Sequence, residues 1–211
     1  MNQEAQALFA QGQRETAIVK LTKILNADPD NVLLLVQLAT MLIQVTDLTQ
    51  AQQLLARAAV LAPEQADIAY NQAVVAHQLQ QNEQAIAFLT PILHSEYARE
   101  ASYLLAVIYF EKNDLPRATV FALTAAEAPA AGLPENLLLT QVFAKQQLWD
   151  QSLPYANKIL ALDPQNADVA FTVGAVFLNT NQLEAGQTLL QQAANDAPKK
   201  YGAAVNLILA E

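Results

Sequence analysis

Small residues recur at a fixed spacing in a chain that is otherwise a succession of apolar, helix-length segments and short polar breaks. Two sets of positions repeat every 34 residues, and both contain one interval of 33 at the same point. The first set is Ala5, Ala39, Ala73, Ala106, Thr140 and Gly174; the second is Ala17, Ala51, Ala85, Ala118, Ser152 and Gly186. Small side chains let two helix backbones approach closely, so these sets predict one helix crossing in each repeat.

Each repeat is predicted to contain two helices joined by a short polar turn. The first helices are predicted at residues 31–44, 66–80 and 100–112 of three of the repeats. Asp and Asn in the turns can cap the helix that follows. The turn pairs are Thr46-Asp47, Gln81-Asn82, Asn113-Asp114 and Asn181-Gln182. Prolines stand after the second helices, which proline cannot continue. They are Pro29, Pro63, Pro164 and Pro198.

Two repeats carry a family motif, W-x₂-L-G-x₂-Y…A-x₃-F…P, in relaxed form. The sixth repeat has Ala170, Val173-Gly174, Phe177, Gly186, Leu190 and Pro198, and the second has Leu35, Leu38-Ala39, Leu42, Ala51, Leu55 and Pro63. The sequence therefore resembles the tetratricopeptide-repeat family over essentially its whole length. The resemblance implies an all-α, right-handed α-solenoid, predicted as a single domain over residues 1–211. Its parts are repeats at 1–31, 32–65, 66–98, 99–132, 133–166 and 167–200, and a closing helix at 201–211.

The sequence departs from the family motif at three places. The motif tryptophan is replaced throughout, and the only tryptophan, Trp149, lies elsewhere in its repeat. The third repeat is one residue short and has Tyr97 where proline is expected. Pro91 falls inside the predicted second helix of that repeat, where it should clash with the Ala87 carbonyl and kink or end the helix. Pro154 lies nearer the start of its helix and should disturb it less.

Composition and charge narrow the classes of partner. The chain has no cysteine and a net charge of −9, from 11 Lys and Arg against 20 Asp and Glu. An acidic protein lacks the positive footprint that nucleic acids and anionic membranes require, so neither is expected as a partner. The apolar runs at 32–36 and 101–110 are too short to span a membrane. The N-terminal sequence shows no signal peptide, which favours a cytoplasmic location.

No group of residues in the sequence predicts catalysis. His94 and Ser95 are adjacent and close to Glu96, but a catalytic triad is defined by geometry and not by adjacency. The segment at 28–31 superficially resembles a calcium loop, but it lacks the glycine and the distal glutamate. His77 has no second histidine or carboxylate at metal spacing. We therefore expect no catalytic residue, no metal site and no cofactor.

The first helices are the expected site of binding, because in similar arrays they line the concave face. The residues predicted to point inward are Val36, Thr40, Tyr70, Asn71, Val74, His77, Tyr103, Val107, Phe110, Leu137, Gln141 and Phe171. Their aromatic members could anchor a peptide or an amphipathic helix of a partner, and Asn71 could hydrogen-bond the backbone of that ligand. The alternative is that this stripe packs between neighbouring helices and exposes only its edges.

Two functions are compatible with these features. The first is a non-catalytic scaffold or adaptor that binds another protein or a peptide. A carboxylate clamp for acidic tails is excluded, because Lys145 is essentially the only inward cation. The second is a self-assembling module, a homodimer joined through its terminal helices, since the last segment carries Val205, Leu207 and Ile208 with a single charge.

Overall fold

Six helical hairpins and a last helix make up the protein, in a computed structural model that describes residues 2–210. Within that range the chain forms α-helices and one short 3₁₀ helix, and it contains no strand. The hairpins are α1 (Gln3–Ala10) and α2 (Arg14–Ala27), α3 (Val32–Gln44) and α4 (Leu48–Leu61), α5 (Ala66–Gln78) and α6 (Asn82–Leu89), α7 (Ala98–Glu111) and α8 (Leu115–Ala126), α9 (Leu133–Lys145) and α10 (Trp149–Leu162), and α11 (Ala167–Leu178) and α12 (Leu183–Asp196); α13 (Pro198–Ile208) follows. This architecture confirms the predicted all-α helical-repeat solenoid.

The internal contacts divide the chain into two compact units, residues 1–101 and 102–211. We call them the N-terminal half and the C-terminal half and describe each by itself. The N-terminal half is built on fully buried Leu21, Leu35, Leu55, Ile68 and Leu89. The C-terminal half is built on fully buried Leu105, Ile108, Leu139, Ile159 and Leu190. In both halves the core is therefore contributed by the first and the second helices of the hairpins.

All twelve members of the two small-residue sets are buried, as the helix-crossing prediction requires. The closest approach is between α11 and α12, where glycine occupies both sets. A Cβ atom built on Gly174 would lie 2.8 Å from the Cγ of Leu190, and one on Gly186 would lie 2.9 Å from the carbonyl oxygen of Gly174. In the preceding hairpin the Ser152 hydroxyl donates to the Thr140 carbonyl at 3.1 Å.

The turns inside the hairpins share a left-handed backbone residue that the sequence analysis missed. These residues have φ between 58° and 84° and follow the same intervals as the small-residue sets. They are Gly12, Thr46, Gln80, Asn113, Gln147 and Asn181. The capping prediction is confirmed for Asp47 and Asp114, whose side chains accept backbone N–H groups of α4 and α8. It is wrong for α6 and α12, which begin after Gln81 and Gln182 without a side-chain cap.

The proline predictions are confirmed in the structure. Helix α6 ends at Leu89, and Pro91 lies in the 3₁₀ helix Thr90–Ile92 that follows. Pro154 lies inside α10, which continues through it. The third repeat therefore has a short second helix and an irregular segment before α7.

The closing helix begins at Pro198, three residues earlier than predicted, and is tied to α11. Asp168 accepts the Tyr201 hydroxyl at 2.7 Å and the Lys200 ammonium at 2.8 Å, and Phe171 stacks on Tyr201 with ring centroids 4.4 Å apart. The hydrogen bonds from Lys200 and then Tyr201 hold the pKa of Asp168 below its ordinary value of 3.8. Met1 and Glu211, the predicted outer limits of the array, lie outside the described residues.

Candidate functional site

A groove of about 720 Å³ lies in the N-terminal half, across the first helices of three successive repeats. Its lining residues are Gln6, Phe9 and Ala10 of α1, Leu33, Val36, Gln37, Thr40, Met41 and Gln44 of α3, Asp67, Tyr70 and Asn71 of α5, and Tyr97 just before α7. We call it the N-terminal groove. Among the described residues of its lining, Asp67 is the only charged one.

An aromatic pair forms the α5 side of the N-terminal groove. The rings of Tyr70 and Tyr97 have centroids 5.4 Å apart and are tilted by 31°. Tyr97 reaches this place because Pro91 ends the preceding helix and a turn follows. Ser95 holds that turn, since its hydroxyl donates to the Ile92 carbonyl at 2.8 Å and accepts the Tyr97 N–H at 3.1 Å. The irregular end of the third repeat thus supplies one wall of the groove.

Several polar side chains of the groove are bound by their own chain. The buried Gln37 amide accepts the Asn2 N–H at 2.8 Å and donates to the Asn2 carbonyl at 3.0 Å. Asn71 donates to the Asp67 carbonyl at 2.7 Å, and the Thr40 hydroxyl donates to the Val36 carbonyl at 2.9 Å. Because these groups already bond within the chain, the groove offers a ligand mainly apolar and aromatic contacts.

The electrostatic field at the α5 side of the groove is negative. Burial is the largest cause that raises the pKa of the Tyr97 phenol above its ordinary value of 10.0, and nearby carboxylates raise it further. These carboxylates are Asp67, Glu96 and Glu100. On the α1 side, the Arg14 guanidinium lies 5.8 Å from the centroid of the Phe9 ring.

The twelve residues predicted to point inward are all half-buried, neither fully enclosed nor fully exposed. In the N-terminal half, the structure brings Val36, Thr40, Tyr70 and Asn71 together in the groove. It does not include Val74 or His77 in the groove lining. Val74 packs against the core, and the His77 Nδ1 lies 3.2 Å from the Asn82 Oδ1.

In the C-terminal half, three of the inward residues contact a neighbouring side chain. The Lys145 ammonium lies 4.7 Å from the Phe110 ring centroid, and Gln141 donates to the Thr172 hydroxyl at 3.4 Å. Burial and the charge of Glu135 raise the pKa of the Tyr103 phenol. Phe171 is covered by Tyr201. The remaining predicted residues of this half, Val107 and Leu137, are half-buried aliphatic side chains of α7 and α9.

Ser95 and the calcium-like segment, two of the features with potential for chemistry, have structural roles. Ser95 is used in the turn described above, and His94 beside it is exposed. In the calcium-like segment, Asn31 donates to Asp28 at 2.8 Å and caps α3 by accepting the Leu34 N–H. Among residues 2–210, no group of three His, Asp or Glu side chains is placed to hold a metal ion. Over the same range, no helix is both long enough and apolar enough to cross a membrane.

Nine of the thirteen lining residues lie outside the predicted inward set, and four of these nine determine the character of the groove. Phe9 occupies in the first repeat the position that His77 occupies in the third. The repeat spacing applied to His77 therefore predicts Phe9 as an inward residue. Leu33 and Asp67 each lie three residues before a predicted inward residue, one helical turn away on the same face. Tyr97 has only one signal in the sequence, which is its place where the family motif has proline.

Comparisons with known proteins agree with this architecture. Residues 8–69 match the family model described as tetratricopeptide repeat. PilW, a widely conserved type IV pilus biogenesis factor, is 16% identical with a TM-score of 0.82, over 98% of this chain and 96% of that chain. PilF of Pseudomonas aeruginosa is 16% identical with a TM-score of 0.83, over 93% and 90%. YrrB, a TPR protein with an unusual peptide-binding site, is 17% identical with a TM-score of 0.67, over 84% and 92%. No curated protein sequence matches the chain.

The fold and the family match define the class of this protein. Arrays of stacked helical repeats present extended surfaces to other proteins, so the fold favours a protein-interaction scaffold. Residues 8–69 match the tetratricopeptide-repeat model, and the helical-repeat fold of residues 2–210 is similar to that of solved tetratricopeptide-repeat structures.

Proposed function

We propose that this protein binds a short segment of a partner protein, an extended peptide or an amphipathic helix, in the N-terminal groove. The observation that carries the proposal is the cluster of half-buried apolar and aromatic side chains around a volume of about 720 Å³. Concave, largely apolar sites of several hundred Å³ are typical of ligand pockets. A groove of this size accommodates a few side chains, which favours a short segment over a broad interface.

The source of binding energy in this proposal is the Tyr70–Tyr97 pair together with the aliphatic wall of α3. Aromatic side chains in a desolvated setting are the usual hot spots of an interface. The solved structure of YrrB, a protein of similar fold, is described as having an unusual peptide-binding site. That likeness supports a peptide as the class of ligand.

The inward residues of the C-terminal half belong to the same proposal as a second contact region in that half. Tyr103, Val107 and Leu137 are half-buried and keep part of their apolar surface accessible. Phe110 and Phe171 already contact Lys145 and Tyr201, so we expect them to contribute less.

The experiment is a selection of displayed random 12-residue peptides on the full chain, followed by affinity measurements on Tyr70→Ala. We expect Tyr70→Ala to weaken binding of the selected peptides by about 1–2 kcal/mol, roughly five- to thirtyfold, because it removes an anchor of the groove. The matched control is Tyr155→Ala, which removes a tyrosine from another tilted aromatic pair, with Phe143 at 6.0 Å, in the C-terminal half. Equal loss in both variants, or none in either, contradicts the proposal. Circular dichroism checks that both variants fold.

A second candidate function is self-assembly through the last helix. Leu207 of α13 is 67% exposed and Leu209 just beyond it is 38% exposed, which leaves apolar surface at this end. Sedimentation across a wide concentration range distinguishes the two functions, since a constant monomer mass contradicts a homodimer. Non-catalytic action, a cytoplasmic location and a single domain over residues 1–211 remain parts of the proposal.

A further inference from the structure

An acidic hollow continues the N-terminal groove beyond its aromatic pair. The hollow has a volume of about 540 Å³ and shares Asp67 and Tyr97 with the groove. Its other lining residues are Glu64, Gln65, Ala66, Ser95 and Glu96. A ligand that leaves the groove at its α5 side therefore passes from an apolar surface directly onto a surface with three carboxylates.

The three carboxylates of the hollow have no cationic partner within residues 2–210. The nearest cation in sequence, Arg99, pairs with Glu100. Elsewhere in the same half, Arg57 pairs with Asp30. The negative charge around Tyr97 is thus left for a group outside the chain to balance.

We propose that the ligand of the N-terminal groove is an amphipathic segment whose apolar side chains fill the groove and whose lysine or arginine contacts Glu64, Asp67 and Glu96. The inference rests on the proposed function, because it names the chemistry of the segment that the groove takes. A cation in this place gains charge-assisted hydrogen bonds from the carboxylates and attraction from the face of the Tyr97 ring.

The distribution of charge also fixes the direction of the bound segment. Arg14 lies over Phe9 on the α1 side, and helix α3 separates that side from Asp67 and Tyr97. A basic residue on the α1 side would meet a like charge, which disfavours the reversed arrangement. The basic end of the ligand therefore lies beside α5.

The test uses the displayed random 12-residue peptides and keeps only the binders that depend on Tyr70. We expect these binders to combine Leu, Ile or Phe with Lys or Arg toward one end. Tyr70-dependent binders that are neutral or acidic overturn the charge proposal and leave the groove proposal standing. A selection that gives no Tyr70-dependent binder overturns both, so the two failures are distinguishable.

The quantitative arm measures one resynthesised basic binder against Glu64→Gln/Asp67→Asn/Glu96→Gln. We expect its affinity to fall about three- to tenfold at low salt, and the difference from wild type to shrink as salt screens the charges. The matched control, Glu15→Gln/Glu184→Gln/Asp196→Asn, removes three exposed carboxylates that line neither the groove nor the hollow. An equal loss in the control means that net charge alone attracts the peptide, and this result contradicts a site at the hollow.

Discussion

At the scale of single residues, the turn inside each hairpin contains one residue in the left-handed backbone conformation. Most of the residue types found there do not favour this conformation. Six residues at one repeat position have positive φ, and Gly12 is the only glycine among them. Asn tolerates this region because its short side chain bonds locally, whereas a β-branched residue such as Thr46 does not. Most of the repeats therefore have a small conformational strain energy at this position.

Substitutions at this position are predicted to change stability mainly through the backbone conformation. Gly12→Ala should lower the free energy of unfolding by about 1 kcal/mol, because φ is 84° and nothing lies within 4 Å of an added Cβ. Thr46→Gly should raise it by up to about 1 kcal/mol, because the left-handed strain is relieved. Urea unfolding measures both changes.

Gly202→Ala is the control for this pair. Its added Cβ also meets nothing within 4 Å, but Gly202 lies inside α13 without positive φ. Alanine should therefore stabilise the protein there by about 0.5–1 kcal/mol. If Gly12→Ala and Gly202→Ala shift the unfolding midpoint in the same direction, backbone strain is not the cause.

At the scale of helices, the sequence predicts which helices pair much better than it predicts the proposed binding surface. The small-residue sets predict where the helices of each hairpin cross, because that contact repeats in every copy. The N-terminal groove does not repeat. It depends on Phe9, Leu33 and Tyr97, whose proximity follows from the stacking of three hairpins and from the turn after Pro91. A departure from the repeat, such as Tyr97, marks such a place but does not show which side chain it meets.

The pairing of α11 and α12 leads to a prediction at this scale. Gly186→Ala should lower the free energy of unfolding by about 1–3 kcal/mol, because its Cβ would lie 2.9 Å from two backbone atoms, the Gly174 oxygen and the Leu178 nitrogen. Backbone atoms cannot move aside as a flexible side chain can. Chemical denaturation tests the effect, with Gly202→Ala again as the open-space control. A neutral Gly186→Ala would mean that the two helices separate easily.

At the scale of the whole molecule, a single domain and two compact units lead to different expectations for unfolding. A single domain unfolds in one transition, whereas two units can unfold separately. In stacked repeats, each unit is stabilised mainly by its neighbours, so cooperativity extends only as far as the interfaces are strong. The sequence predicts the number and order of repeats well. It does not predict how evenly their contacts are distributed, because this depends on the detailed fit of each interface.

Unfolding measured by two probes is predicted to give coincident transitions if residues 1–211 form one domain. Trp149 is the only tryptophan and lies in the C-terminal half, so its fluorescence follows that half, whereas far-UV circular dichroism follows every helix. A difference between the two midpoints contradicts a single cooperative domain. Midpoints that rise with protein concentration would instead favour the homodimer.

The N-terminal groove takes its walls from three hairpins in a set order and from the irregular turn that follows the third. Arrays of this architecture can lengthen or shorten by whole repeats, because each repeat contacts only its neighbours. A recombination event that exchanged or duplicated one of these hairpins would preserve the fold and yet destroy the groove. The fold would survive such an exchange, whereas the groove depends on the order of the hairpins.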